Sequence, residues 1–438
     1  MTMRTTLMRL AGSALAFAAF PAAAQTVAIT NAKLVVGDGS APVEGGTVVI
    51  RDGRVVAAGA GVAAPAGMRV IDAGGRWVSP GIVAGFSRVG LVDVDGVRET
   101  DDSAAADSVF NASLDIAPAV NWRGQAITLN RSEGITRAVI VPDTGASIFG
   151  GQGAMIDLGN DTSPITRARL FQFMEYGVAG ARTAGGSRPA AIAMFRNALF
   201  EARDYARNPA SFNDRGKDAL LTRADAAALV PVVNGQQKLL IKVDRALDIQ
   251  VVLGLKREMP ALDIVLVGAV EGWMVAREIA AAGVPVIANA LADLPADFDQ
   301  LGATQSNVGR MVAAGVTVAI GNVDDNEARQ ARHVKQFAGN LVALTRVPGA
   351  TGLDWGQAFA TISSKPAEIM GMGGELGSLR PGRRGDVVIW DADPLEIGAT
   401  PTAVFIDGVE QPLGNRQLRL RDRYLDPKEG ALPKAYQH

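Results

Sequence analysis

The side chains that do most metal and acyl-transfer chemistry are nearly missing from this chain. Of 438 residues, only His333 and His438 are histidine, and there is no cysteine. A zinc site needs three or four nitrogen or thiolate donors, and these two histidines cannot supply them. Harder ions take oxygen ligands. Asp93, Asp95, Asp324 and Asp325 are the carboxylate candidates, with solvated loop acids as the plainer reading. Ser87 ends a predicted strand, but a Ser-His-Asp triad has no histidine base here. A Ser–Lys pair of Ser87 and Lys242 stays open. It requires hydrogen-bond proximity and a neutral lysine, whose pKa the nearby Arg88 would help lower. The Gly-rich GASIFGGQG (145–153) lacks a following Gly-Lys-Ser/Thr and is not a phosphate loop. It reads as a backbone-bulge loop.

Any such groups must be positioned by the elements around them. Residues 26–79 alternate with period two in short β-branched runs, and Asp52-Gly53 marks a hairpin. This predicts a small antiparallel β unit. From Ser79 the style changes to apolar strands alternating with helical stretches. IVAGF (82–86), ITRAVIVP (135–142), LLIKV (239–243), IVLVGA (264–269), VPVIANA (284–290) and VTVAIG (316–321) read as strands. GAMIDL and RARLFQF are weaker candidates between them. Helices are predicted over 121–132, 188–207, 222–230, 245–257, 273–282, 305–314 and 327–344. Trp273, Met274 and Met311 are expected in the core. About eight β–α units favour a closed (β/α)8 barrel of TIM type over an open sheet. After Gly377 the β style returns, with Asp407-Gly408 as a second hairpin turn. The two ends are expected to pair into one composite β-sandwich.

The first residues read as a secretory signal: Arg4 and Arg9, then LAGSALAFAAF (10–20), then Ala22-Ala23-Ala24. Cleavage after Ala24 would leave an exported, periplasmic chain. The apolar run is shorter than the ~20 residues a bilayer span needs, and no later stretch is long enough. Lys and Arg (43) nearly balance Asp and Glu (45), and no basic stripe is interleaved with aromatics. Nucleic acid is therefore not an expected partner.

Several stretches, in order, resemble the amidohydrolase superfamily, specifically its secreted, imidazolonepropionase-like branch. They are RWVSPGIVAGFSRVG (76–90), GGQGAMIDL (150–158), KVDRALDIQ (242–250), IVLVGAVEGWMVAREIAAAGVPVI (264–287) and SSKPAEIMGMGGELGSLRPGRRGDVVIWDADPL (363–395). The resemblance covers essentially the whole chain after residue 24. It implies a composite sandwich beside a barrel in which zinc or a similar divalent ion activates water for C–N hydrolysis. Carried over position by position, it implies His-x-His where this chain has Phe86-Ser87-Arg88. It implies histidines at Lys242 and Gly268, and an aspartate on or beside Val323, with Asp324 next. No cofactor is therefore predicted. Arg88 and Lys242 would place positive charge where the ions sit. They are expected either to pair with Asp324 or Asp325 and fill the cavity, or to bind an anionic small molecule oriented by Gln152, Asn289 and Asn322.

The expected organisation is a signal peptide (1–24), a first sandwich segment (25–79), the barrel (80–376), then a second sandwich segment with a C-terminal tail (377–438). The expected function is that of a C–N hydrolase by descent, degenerate in its metal chemistry. The alternative is a periplasmic binding or partner protein, assembled with itself or with an active homologue.

Overall fold

The computed structural model describes residues 26–214, 219–290, 292–323 and 329–425. The predicted signal peptide, Asp324, Asp325 and His438 lie outside them. Five strands come first: β1 (Val27–Leu34), β2 (Val43–Arg51), β3 (Arg54–Gly59), β4 (Arg69–Asp72) and β5 (Trp77–Pro80). Asp52 and Gly53 take φ of 50° and 75° between β2 and β3, as a two-residue hairpin turn requires. The unit is not purely antiparallel. β1 pairs antiparallel with β2 but parallel with β4 and β5.

Eight strands then form the barrel: β6 (Ile82–Ser87), β7 (Ile135–Ile140), β8 (Phe149–Asp157), β9 (Ile165–Glu175), β10 (Lys238–Val243), β11 (Ile264–Gly268), β12 (Val286–Ala288) and β13 (Val318–Ile320). Seven of them are parallel. β8 is antiparallel to both neighbours, because no helix separates it from β7 or β9. The sheet nearly closes where Asn322 N–H, just past β13, donates to the Phe86 carbonyl of β6 at 3.2 Å. Gly85 and Gly321 sit at that seam, and a Cβ on either would collide with the facing backbone.

The glycines of 150–153 are thus strand residues and not a loop. A Cβ at Gly153 would enter the Phe171 ring, and one at Gly150 would meet the Asp143 carbonyl. Glycine here marks close approach within a strand. The period-two alternation sorts the strands into two faces. Ile241 and Val243 of β10 pack outward with the helices, whereas Leu240 joins Val83, Val139, Met155, Phe173, Val265 and Ile287 inside the barrel. Ala367, Ile369 and Met370, from the helix Ser364–Ile369 and its end, complete that interior cluster. Of the residues expected in the core, Met311 is buried, Trp273 is half-buried and Met274 is exposed.

The chain returns through β14 (Val387–Trp390), β15 (Pro401–Ile406) and β16 (Val409–Glu410). β14 pairs with β5, so both ends of the chain share one eight-stranded sheet around a common apolar cluster. That sheet is fastened to the barrel by a fully buried guanidinium. Arg137 of β7 meets Asp157 of β8 at 3.4 Å, and Asp386 and Asp407 of the returning segment at 2.8 Å each.

Candidate functional site

The C-terminal ends of the parallel strands are where a barrel of this kind places chemistry. β10 projects Lys242 there, on the same face as Leu240. Its ammonium lies 3.4 Å from Glu175 Oε1 at the end of β9. The two residues are also direct partners in the β9–β10 ladder. Glu175 Oε2 accepts the Thr144 hydroxyl proton at 2.5 Å, and Thr144 N–H donates to Asp143 Oδ1 at 2.9 Å. Asp143 in turn meets Arg88 Nη2 at 2.7 Å. Arg88, Asp143, Thr144, Glu175 and Lys242 therefore form one chain of polar contacts across the ends of β6, β7, β9 and β10.

Phe86 does not join it. Its ring is buried among the apolar interior residues, edge-on to Phe173 with centroids 6.1 Å apart, and Val323 belongs to the same cluster. Gly268 has φ of 85°, a region that side chains rarely adopt. A Cβ there would press into Asp244 Oδ1. Ser87 is buried with its hydroxyl donating to the Val139 carbonyl at 3.4 Å and accepting from Val89 N–H at 3.5 Å. Its hydrogen bonds thus run to backbone groups of its own loop and of β7.

The polar residues expected to line a pocket are spread out. Asn322 Nδ2 donates to the Gln330 carbonyl at 3.2 Å. Asn289 is half-buried, and its N–H donates to the Gly268 carbonyl at 3.3 Å. Gln152 lies inside β8, accepting from Gln237 Nε2 at 3.3 Å, with its backbone bonded to Leu114 and Ile116. Of the candidate acids, Asp93 accepts from Asn121 Nδ2 at 2.7 Å. Asp95 is held below its ordinary pKa by its hydrogen bonds to Arg329. His333 sits in a short turn with its ring 6.3 Å from Phe337.

Next to Lys242, Tyr176 N–H donates to the Lys242 carbonyl at 2.9 Å. Burial pushes the Tyr176 phenol up, and the Asp248 carboxylate adds to it. Burial also raises Asp248, which Arg188 offsets only incompletely.

This donor set does not suit a divalent cation. One mapped position is a ring inside an apolar cluster, two are cations beside carboxylates, and one has no room for a side chain. Among the described residues no three His, Cys, Asp or Glu side chains come together to hold a metal. Sequence reasoning missed Asp143, Thr144 and Glu175. Glu175 could have been found as a carboxylate ending RARLFQFME, and Asp143 as the acid directly after ITRAVIVP.

Comparison with known proteins agrees with this architecture. The structure superposes on an amidohydrolase from Thermotoga maritima MSB8 with a TM-score of 0.76 at 20% identity, covering 88% of this chain and 99% of that one. A molinate hydrolase gives 0.54 at 17% identity, over 94% and 98%. An adenosine deaminase from Xanthomonas campestris with bound zinc gives 0.52 at 15% identity, over 89% and 93%. At these identities the likeness is one of fold. Amidohydrolase tasK of Hapsidospora irregularis is 38% identical over 89 residues, 20% of this chain, and the match spans 8% of that protein's length. Residues 155–410, more than half of the chain, match the amidohydrolase family. The chain belongs to the amidohydrolase family.

Proposed function

We propose that this protein is an exported, periplasmic member of the family that has given up metal-dependent C–N hydrolysis and serves as a binding or partner protein. The observation that carries this reading is the contact chain from Arg88 to Lys242. Each cation there has a carboxylate within ion-pair distance, Asp143 for Arg88 and Glu175 for Lys242. A divalent ion could take these carboxylates as ligands only by displacing the cation already paired with each, which gives up both ion pairs and leaves two positive charges beside the ion. The composition supports the same reading, since two histidines and no cysteine leave no nitrogen or sulfur set to replace the missing ligands.

A second reading is favoured by the family membership itself: a C–N hydrolase that works from a different site. One experiment separates the two. The purified protein is assayed on N-acyl amino acids, small peptide amides and cyclic amides, with zinc or manganese added and with chelator. The proposal expects no turnover under any of these conditions. Chelator-sensitive turnover overturns it, and metal-independent turnover establishes the second reading.

A further inference from the structure

The charge balance of the whole chain hides one local exception. The helix Arg416–Leu425 (RQLRLRDRYL) carries four arginines against one aspartate and buries none of its side chains. Its start is fixed to the barrel by Asn415, which is buried. Asn415 Oδ1 accepts from Leu418 N–H at 2.9 Å and so caps the helix, while its Nδ2 donates to Ser132 Oγ at 2.8 Å. Leu418 is half-buried, and the other nine residues of the helix are exposed. On the face opposite Leu418, Arg416, Arg419, Leu420, Arg423 and Tyr424 recur at three- and four-residue spacing. Arg416 donates to Gln125 Oε1 at 3.2 Å. The helix's one ion pair among the described residues joins Arg421 to its neighbour Asp422. Like charges at such spacing destabilise a helix, and a short helix that packs no apolar face is marginal in water.

We propose that this helix docks the protein peripherally on an anionic lipid bilayer. Charge selects an anionic partner. The chain as a whole carries a formal charge of -2, so it is this helix that an anionic surface attracts. Leu420 and Tyr424, 38% and 66% exposed, select among anionic partners. An acidic polymer or a polyphosphate neutralises the arginines but leaves both apolar side chains in water. A lipid interface takes both kinds of group. Phosphates meet the guanidinium groups, while the leucine and the tyrosine ring reach the acyl boundary. The arginine stems lie along that boundary with their heads among the phosphates. The same phosphates relieve the repulsion between arginines on one face. This is attachment at the interface and requires no membrane span. It does not rest on the functional reading above.

The test is co-sedimentation of the purified protein with vesicles. Wild type pellets with vesicles of equal parts phosphatidylcholine and phosphatidylglycerol, less so as salt rises, and stays in solution with pure phosphatidylcholine. Arg419→Gln/Arg423→Gln removes two charges, each worth about fivefold in partitioning, so binding falls about 25-fold. Leu420→Ser/Tyr424→Ser keeps every charge and loses about tenfold by giving up apolar burial. Both keep the wild-type melting temperature, because the helix buries no side chain. Arg277→Gln/Arg346→Gln, at two exposed arginines elsewhere, binds like wild type. A wild type that ignores the charged vesicles overturns the proposal, and retention on polyglutamate instead then assigns the helix to an acidic protein. Binding that survives either helix variant, or that the Arg277 and Arg346 changes reduce equally, also overturns it.

Discussion

Lys242 and Glu175 stand directly opposite each other in the β9–β10 ladder, and their side chains close to 3.4 Å at the mouth of the barrel. In that position a cation is matched to a carboxylate on the neighbouring strand. The pair is partly buried, with side-chain exposures of 26% and 12%. Removing one member leaves the other without that partner. Lys242→Met is expected to cost about 1–2 kcal/mol, below the full penalty of a buried pair because water still reaches it. Lys242→Met/Glu175→Gln is expected to cost less than the two single changes added together. Urea unfolding of the four proteins checks this.

The geometry at Gly268 predicts that no side chain can be put back there. Gly268→Ala combines a left-handed backbone with a collision against Asp244, and should destabilise by about 1–3 kcal/mol. Gly268→His should be at least as costly and should confer no zinc affinity. Gly374→Ala, which has an ordinary φ and open space around it, should stay within about 0.5 kcal/mol of wild type. Melting temperatures with and without zinc read all three.

Arg137 joins the barrel to the sheet through three carboxylates and is fully buried. Arg137→Met strands those carboxylates in low dielectric and should cost about 3–5 kcal/mol. Arg137→Lys should restore little, because one ammonium cannot reproduce a planar guanidinium shared among three acids. Urea midpoints compared at equal m-value measure both.

The same cluster predicts a pH dependence. Burial pushes the Asp157 carboxyl up to about 6, and Arg137 only partly offsets it. A carboxyl whose folded pKa lies above its unfolded value is easier to fold protonated. Its contribution is therefore complete below about pH 4 and lost as pH rises through 6, an effect of at most about 3 kcal/mol. Asp407 runs the other way: burial alone would raise it, but Arg137 and Arg384 hold it low. The difference between wild type and Asp157→Asn isolates the first effect. Relative to wild type, the variant should gain stability between pH 4 and 7. A difference that is flat over that window counts against the assignment.

The sequence was most legible where one local rule decides the outcome. Positive φ at Asp52-Gly53 and Asp407-Gly408, and the alternation of apolar strand with helix from Lys238 to Ile320, needed no distant partner to be read. The helix Arg188–Arg207 was equally clear, with Pro189 in its first turn and Ser187 capping its start. The start of β8 was misread because its three glycines look like a loop, whereas GAMIDL, over its second half, reads as a strand candidate. The purpose of the glycines is the close approach of Phe171 and Asp143, which lie elsewhere in the chain. The same reason hid the polar contact chain at the mouth. Arg88 and Lys242 stood out as cations in unexpected places, but their partners sit 55 and 67 residues away along the chain. They lie on or beside β7 and β9, the strands that flank β8. Pairing of that range follows from strand order, and strand order is what periodicity left open.

Metal content tests the central claim most directly. The purified protein is dialysed against excess zinc, freed of loose ions by gel filtration, and its bound metal is counted by mass spectrometry. Cations at Arg88 and Lys242, a ring at Phe86 and no room at Gly268 predict far less than one zinc per chain, and a melting temperature that chelator leaves unchanged. One or more zinc ions held per chain, with a melting temperature that falls on chelation, would contradict it.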